Sequence, residues 1–285
     1  MKPPPFDYAA PERLDEAIGL LAGELDAKVL AGGQSLVPLL SMRLAYPDLL
    51  VDLRRIAGLD MISESDGRLA IGAMVRQLHA ETSDTVATRC PLVVEALRQV
   101  AHPQIRARGT VGGSIAHADP AGELPAVAVA LDARARVRGP GGERLVAAAD
   151  LYTGTFTTSL GDGEIVCAVE FPVADDGAGA ACVEVARRQG DYALCGAVAQ
   201  VSTADGLVAD ARLALFGVAD RPVRAAVAEA ELRETPVRAA AAVAATKVAD
   251  EIPFRDDPQL PAGYRRQVAV VSARRAIAQA LEAAA

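Results

Sequence analysis

The stretch Gly109-Thr110-Val111-Gly112-Gly113-Ser114-Ile115-Ala116-His117-Ala118-Asp119-Pro120-Ala121-Gly122-Glu123-Leu124-Pro125 decides how the chain is read. Gly112 and Gly113 lack a Cβ, which permits a positive φ and lets a ligand approach the backbone. Thr110 and Ser114 flank them with hydroxyls, and Asp119 and Glu123 follow with carboxylates. Leu124, Val127, Ala128 and Leu131 recur at helical spacing and predict the buried face of a short helix. Small residues and hydroxyls, then acids ahead of a helix, suit a phosphate bound by amides and a ribose bound by a carboxylate. Alone, the stretch reads equally well as a Gly-rich turn before an ordinary helix.

A second stretch, Lys28-Val-Leu-Ala-Gly-Gly-Gln-Ser-Leu-Val-Pro over residues 28–38, shifts the balance. It also runs from an apolar, strand-like segment into paired glycines and a hydroxyl. No Lys-Ser or Lys-Thr closes it, so it is not a GxxxxGK[ST] phosphate loop, and it is not GxGxxG either. Two Gly-Gly-polar turns in one chain suit a diphosphate held from two sides.

Working outward, 285 residues suggest about two domains at roughly 150 residues each. A hydrophobic content of 51% with 23% charged residues describes a globular protein with ample core. The net charge of −8 argues against a nucleic-acid surface. No apolar h-region follows Met1-Lys2-Pro3-Pro4-Pro5, and no apolar run reaches the roughly 18 residues of a membrane span. The cytoplasm is therefore expected. The 4 cysteines, Cys90, Cys167, Cys182 and Cys195, show no CxxC spacing and read as small buried hydrophobes. Iron–sulfur clusters need clustered thiolates, so any electrons handled here need an organic cofactor or another subunit. His79, His102 and His117 have no acids at ligand spacing and predict no metal site; only His117 falls within the motif. There is no GxSxG, and no catalytic residue is assigned.

The apolar patterning predicts a helix over 11–25, strands over 28–30, 49–53 and 69–73, and a helix over 91–100. Strands over 134–138 and 144–146 flank the Gly139-Pro140-Gly141-Gly142 turn, and 164–171 alternates again. The polar, Gly-rich run from Ala174 to Ala180 is the candidate boundary between domains at 1–175 and 180–285. Beyond it come three strands, 182–186, 193–202 and 208–216, and three helices, 221–232, 237–248 and 264–281.

Ala31-Gly32-Gly33-Gln34-Ser35-Leu36, Thr110-Val111-Gly112-Gly113-Ser114 and Gly190-Asp191-Tyr192-Ala193 together resemble the FAD-binding medium subunit of the molybdenum hydroxylases. That family includes aerobic carbon monoxide dehydrogenase, xanthine dehydrogenases and bacterial N-heterocycle hydroxylases. The resemblance covers essentially the whole chain and implies an α+β fold. A vanillyl-alcohol-oxidase (PCMH)-type FAD-binding domain of two α/β subdomains would precede a small C-terminal domain with an antiparallel sheet and a helix bundle. It implies noncovalent FAD, with the pyrophosphate held by Ala31–Ser35 and Thr110–Ser114 and with Leu30 and Leu36 bounding the first loop. Lys28 would lie at that loop's edge. Glu123 would bond the ribose or ribityl chain. Asp119 would share that role or cap the following helix. Val166 would lie on the strand that meets the flavin ring, with core packing as the alternative, and Tyr192 would cover the isoalloxazine.

Two positions depart from the family pattern: Glu184 stands where relatives often carry lysine, and Ala107 where asparagine is common. The resemblance further implies an oxidoreductase complex with a small 2Fe-2S subunit and a large molybdopterin subunit, as a dimer of heterotrimers. Electrons would pass from the clusters to FAD and on to an external acceptor: a quinone, NAD, a carrier protein or oxygen. The alternatives are an FAD-free assembly or regulatory homologue and a stand-alone flavin oxidase.

Overall fold

In the computed structural model, which describes residues 1–256 and 260–284, the chain opens with a parallel sheet. Leu49–Asp52 is its middle strand, between Asp7–Ala9 and Ala27–Leu30. Its Leu-Leu-Val-Asp run is wholly buried, as parallel strands covered on both faces require. Helix Leu14–Leu21 lays Ala17 and Ile18 against this sheet. The helix is shorter than the expected 11–25, because Pro11 lies outside it and the chain turns at Ala22 and Gly23.

The second region is an antiparallel sheet in the order Ile62–Ser65, Arg68–Gly72, Ile165–Pro172, Arg134–Gly139, Gly142–Ala147. Asp66 and Gly67, with φ of 50° and 69°, make the tight hairpin that the Asp-Gly pair predicts. Helices Pro91–Gln99 and Glu123–Ala130 lie together over one core. The second of these is buried on every side from Leu124 to Ala130, not along one stripe. An all-apolar helix finds its place only in the interior.

The third region is a sheet of Gly179–Ala186, Ala193–Ala204, Leu207–Phe216 and Val223–Arg224. The fourth strand corrects the expected three. Val223 and Arg224 pair with Leu215 and Ala214, so the expected helix over 221–232 starts only at Ala226. Strand alternation gives this sheet two buried faces. Leu213 and Leu215 pack on helices Val237–Glu251 and Ala262–Ala283, while Ala214 and Phe216 join the core of the preceding region. Alanine-rich helix faces allow the sheet a close approach. A Cβ on Gly179 would lie 1.9 Å from the carbonyl oxygen of Ala280. The two expected domains thus share one continuous apolar core across the 174–180 connector.

Cys90, Cys182 and Cys195 are buried, whereas Cys167 is half-buried at a bulge between Val166 and Ala168. All four are free thiols, and burial pushes Cys90 and Cys195 up to about 12. Among the described residues, no helix is long and apolar enough to cross a membrane, and no group of three His, Cys, Asp or Glu side chains is placed to hold a metal.

Candidate cofactor-binding site

Strand Ala27–Leu30 delivers the first glycine loop, with Leu30 and Leu36 packed around Leu40. Gly33 has φ of 74°, so this turn needs the left-handed region that glycine supplies. Gln34 Nε2 donates to the Gly32 carbonyl at 3.1 Å and closes the turn on itself. Ser35 precedes helix Leu36–Ser41 without capping it by a side-chain hydrogen bond. Gly32 has no positive φ, and its missing side chain serves another purpose. A Cβ there would sit 2.4 Å from the Arg108 carbonyl oxygen and 2.8 Å from Gly109 Cα.

The second motif is no turn. Thr110 is the N-cap of a helix of its own, Val111–His117, and its hydroxyl accepts from the Gly113 amide at 3.1 Å. Neither Gly112 nor Gly113 has a positive φ, contrary to the expectation from sequence. Gly112 is glycine because a Cβ would lie 2.4 Å from the Ala73 methyl. Thr110 is only 2% exposed, and its hydroxyl accepts the cap hydrogen bond while keeping its own O–H to donate. Segment 73–77 laces this region down: the Val111 amide donates to the Val75 carbonyl, and the Gln77 amide to that of Gly109.

The fold brings both motifs together. A Cβ on Gly113 would come 3.5 Å from the Ala31 methyl, an ordinary contact. Beside the first loop lies a cavity of about 110 Å³ lined by Gly32, Gly33, Arg54, Arg76 and Arg108. Arg54 is held by the buried Asp52 at 2.6 Å, and Tyr8 donates to the same carboxylate at 2.8 Å. Burial pushes the Asp52 carboxyl up, but hydrogen bonds from Arg54 and Tyr8 outweigh it, so the group sits below its ordinary value. Arg76 donates to the Arg108 carbonyl. Three arginines lining a cavity beside a half-buried glycine turn suit a phosphate group. The cavity is smaller than the about 300–1,000 Å³ of a whole-ligand pocket, so it fits one phosphate-bearing part of a larger molecule. The arginines are far apart in sequence, and no local pattern could have found them.

The acidic end is built from other elements. Glu123 begins helix Glu123–Ala130, where a carboxylate meets the favourable end of the helix dipole. Burial pushes it up to about 8 against its own amide's hydrogen bond, and the charges of Glu184 and Asp119 add to the rise. Burial likewise pushes Glu184 up to about 7, with the hydrogen bond to Glu123 opposing. One oxygen of Glu184 is buried without a hydrogen-bond partner. Sequence reading noted Glu184 only as a departure; its pairing with Glu123 depends on two distant elements meeting.

Asp119 does not cap the following helix. Gly122 is the N-cap, and the Asp119 carboxylate accepts instead from the Ala121 amide at 2.9 Å. Tyr192 is 73% exposed and so is no core tyrosine. Partial shielding from water raises its hydroxyl, and the charges of Asp119 and Glu123 add to this. Its loop is seated on His102, because Gly190 has φ of 84° and a Cβ there would lie 2.3 Å from the imidazole. His117 stacks on Phe156 with ring centroids 5.0 Å apart, and burial lowers its pKa against the charge of Asp119. Val111 and Val166 are buried in the main core, Lys28 and Ala107 are exposed, and Ser114 is half-buried.

These features fit FAD: arginines and a glycine turn for the diphosphate, and an orphaned buried carboxyl oxygen for a hydroxyl-bearing chain. Residues 4–174 match the family model described as the FAD binding domain in molybdopterin dehydrogenase, and residues 180–280 match the CO dehydrogenase flavoprotein C-terminal domain. The chain belongs to the FAD-binding medium subunits of the molybdenum hydroxylases.

Its relatives are dehydrogenase subunits of molybdopterin-dependent oxidoreductases. It is 42% identical to the 6-hydroxypseudooxynicotine dehydrogenase complex subunit alpha of Paenarthrobacter nicotinovorans, over 100% of this chain and 97% of that one. It is 38% identical to the carbon monoxide dehydrogenase medium chain of Afipia carboxidovorans, over 98% of each. The solved Cu,Mo-CO dehydrogenase chain superposes with a TM-score of 0.96 at 37% identity, covering 100% of both chains. Quinoline 2-oxidoreductase from Pseudomonas putida 86 gives 0.92 at 39% identity, covering 99% of both. The α+β architecture expected from the motifs is therefore the observed one, and FAD is the cofactor of this fold.

Proposed function

We propose that this chain is the electron-transfer subunit of a heterotrimeric molybdenum hydroxylase, receiving electrons from the 2Fe-2S clusters of a small subunit and passing them to an external acceptor. The large subunit would carry the molybdopterin cofactor and the substrate pocket. The observation that carries the reading is the meeting of the two glycine motifs beside an arginine-lined cavity, in a chain matching the FAD model over residues 4–174. When bound, FAD supplies a redox centre able to take up electrons singly and hand them on.

The chain's own residues would bind and orient. Backbone of Ala31–Ser35 and Gly113–Ser114 would face the diphosphate, with the Ser35 hydroxyl and the cavity-lining Arg54, Arg76 and Arg108 beside it. Thr110, Val111 and Gly112 would act from behind, fixing the helix that carries Gly113 and Ser114. Glu123 would accept from ribose or ribityl hydroxyls, with Asp119 nearby, and Tyr192 would cover the ring system. Val166 and Leu30 would support the site from the core, and exposed Lys28 would flank the first loop.

The test is to purify the native complex with its partners and measure flavin. Stoichiometric FAD, released by acid or heat, is expected together with a cluster-bearing and a molybdopterin-bearing subunit in a dimer of heterotrimers. No flavin in the purified complex, or flavin retained covalently, overturns the reading. In the same complex Tyr192→Ala is expected to weaken FAD by about tenfold, the worth of one aromatic stack. It should change flavin reduction and reoxidation rates more than FAD content.

A further inference from the structure

The first glycine loop and the turn that carries Arg54 leave neighbouring parallel strands at the same end. Leu30 pairs with Asp52 in the register of the sheet, so Ala31-Gly32 and Leu53-Arg54 begin side by side. Ligands of open parallel sheets gather outside the carboxyl ends of the strands. Alternation puts Leu50 and Asp52 on one face, and Leu50 belongs there to the apolar cluster of Leu30 and Leu40. A carboxylate that ends so apolar a face is stable only when paired.

Asp52 is paired on both oxygens. Oδ1 accepts from the Arg54 amide at 2.9 Å and so starts the turn Leu53–Arg55. Oδ2 accepts from Arg54 Nε and Nη2, each at 2.6 Å, and from the Tyr8 hydroxyl at 2.8 Å. Tyr8 reaches it from the edge strand, where it stands opposite Leu50. Asp52 has a fully buried side chain, whereas Tyr8 is 52% exposed and the Arg54 side chain 55%. Two half-exposed side chains thus converge on one buried anion. Among the described residues, Arg54 is the one arginine of the cavity with an ion pair; Arg76 is tied instead to the neutral carbonyl of Arg108.

We propose that Asp52 and Tyr8 are positioning residues for the cofactor: they hold Arg54 as a pre-set cation for one phosphate of the FAD diphosphate. The inference rests on the FAD reading above and adds what aims the guanidinium. Neither Asp52 nor Tyr8 lines the cavity, so both act through Arg54. The clamp engages Nε and Nη2, and Nη1 is not part of it. A planar guanidinium meets a phosphate through paired N–H groups, so the angle at which it is presented sets the contact. Arginine has many rotamers, and a side chain already anchored loses less freedom when its ligand arrives. Asp52 balances the charge of Arg54, which makes the gain directional. Arg76 and Arg108 supply the net positive charge of the cavity.

The experiment uses the complex stripped of flavin, titrated with FAD by fluorescence quenching and with inorganic pyrophosphate by calorimetry, well below the unfolding transition of each variant. Arg54→Gln is expected to bind FAD about tenfold more weakly, the worth of one charge-assisted hydrogen bond. Arg54→Lys should be nearly as weak, because an ammonium keeps the charge and loses the planar fork. Asp52→Asn keeps the cation and loses the ionic clamp, and Tyr8→Phe removes one bond from it. Each should weaken FAD by about threefold to tenfold. Pyrophosphate should follow the same order in every variant.

The double variant Asp52→Asn with Arg54→Gln separates positioning from a structural role. Acting through Arg54, Asp52 has nothing left to position, so the double variant should bind FAD like Arg54→Gln alone. A further loss in the double variant overturns the proposal, as does full rescue by Arg54→Lys. Asp52→Asn binding FAD as tightly as wild type, or pyrophosphate binding unchanged in Arg54→Gln, overturns it as well. If Asp52→Asn does not assemble, Tyr8→Phe and its double variant with Arg54→Gln carry the same comparison. FAD bound equally by wild type, Tyr8→Phe and Arg54→Gln overturns the clamp alone, and no FAD binding by wild type overturns the FAD reading itself.

Discussion

At Gly32-Gly33 the chain turns through the left-handed region, with Gly33 at φ of 74°, whereas at Gly112-Gly113 it is already helical. The two pairs look alike in sequence, each after one small or apolar residue, Ala31 or Val111, and with a serine within two positions. In the fold only Gly33 needs glycine for its backbone angle. Gly32 and Gly112 need it because another strand or loop passes within 3 Å of where a Cβ would be. The hydroxyls divide in the same way. Ser35 caps no helix with its side chain beside the first loop, whereas Thr110 caps the helix that carries the second pair. A glycine pair in a binding motif can thus be kept by internal packing as much as by ligand approach.

Gly32→Val puts the comparison under the greatest load. The sequence alone suggests that it blocks the ligand and spares the fold. The contact with the Arg108 carbonyl predicts instead a loss of about 1–3 kcal/mol or more in chemical denaturation of the purified chain, together with loss of FAD. A variant with wild-type stability and no FAD would restore the ligand explanation.

Gly33→Ala comes next, because alanine at a left-handed φ costs about 1–2 kcal/mol. Gly113→Ala has no such backbone penalty, and its only close neighbour is the Thr110 hydroxyl at 2.7 Å. Denaturation midpoints should therefore separate the two variants, with Gly33→Ala the less stable. Equal midpoints would mean that the turn tolerates a side chain.

The hydroxyls give the finest distinction. Thr110→Ala should cost about 1 kcal/mol of stability through the lost cap. Ser35→Ala should stay within about 0.5 kcal/mol in stability, as expected for a hydroxyl that caps no helix among the described residues. FAD titration should order them oppositely, with Ser35→Ala the weaker binder when both are measured well below their unfolding transitions. Matching affinities would show that Ser35 does not reach the diphosphate.

Much of this was legible in the sequence. The three motifs identified the family, and period-two alternation located Ile165–Pro172 and three of the four strands of the last sheet to within a few residues. Asp66-Gly67 marked its hairpin, because local turn chemistry is written in adjacent residues. Such signals are short-range: a helix or strand repeats its own period, and a motif states its own chemistry.

Tertiary structure alone decided the rest. Val223 and Arg224 became a strand because Leu215 and Ala214 offered an edge, overriding a helical pattern. The second glycine motif became a helix start because segment 73–77 took up its amides. Arg54, Arg76 and Arg108 converge on one cavity from separate segments, and Glu123 meets Glu184 across 61 positions of chain. Each of these depends on which distant surfaces close on one another. That is fixed by burying one continuous core, and no residue's local pattern carries the information.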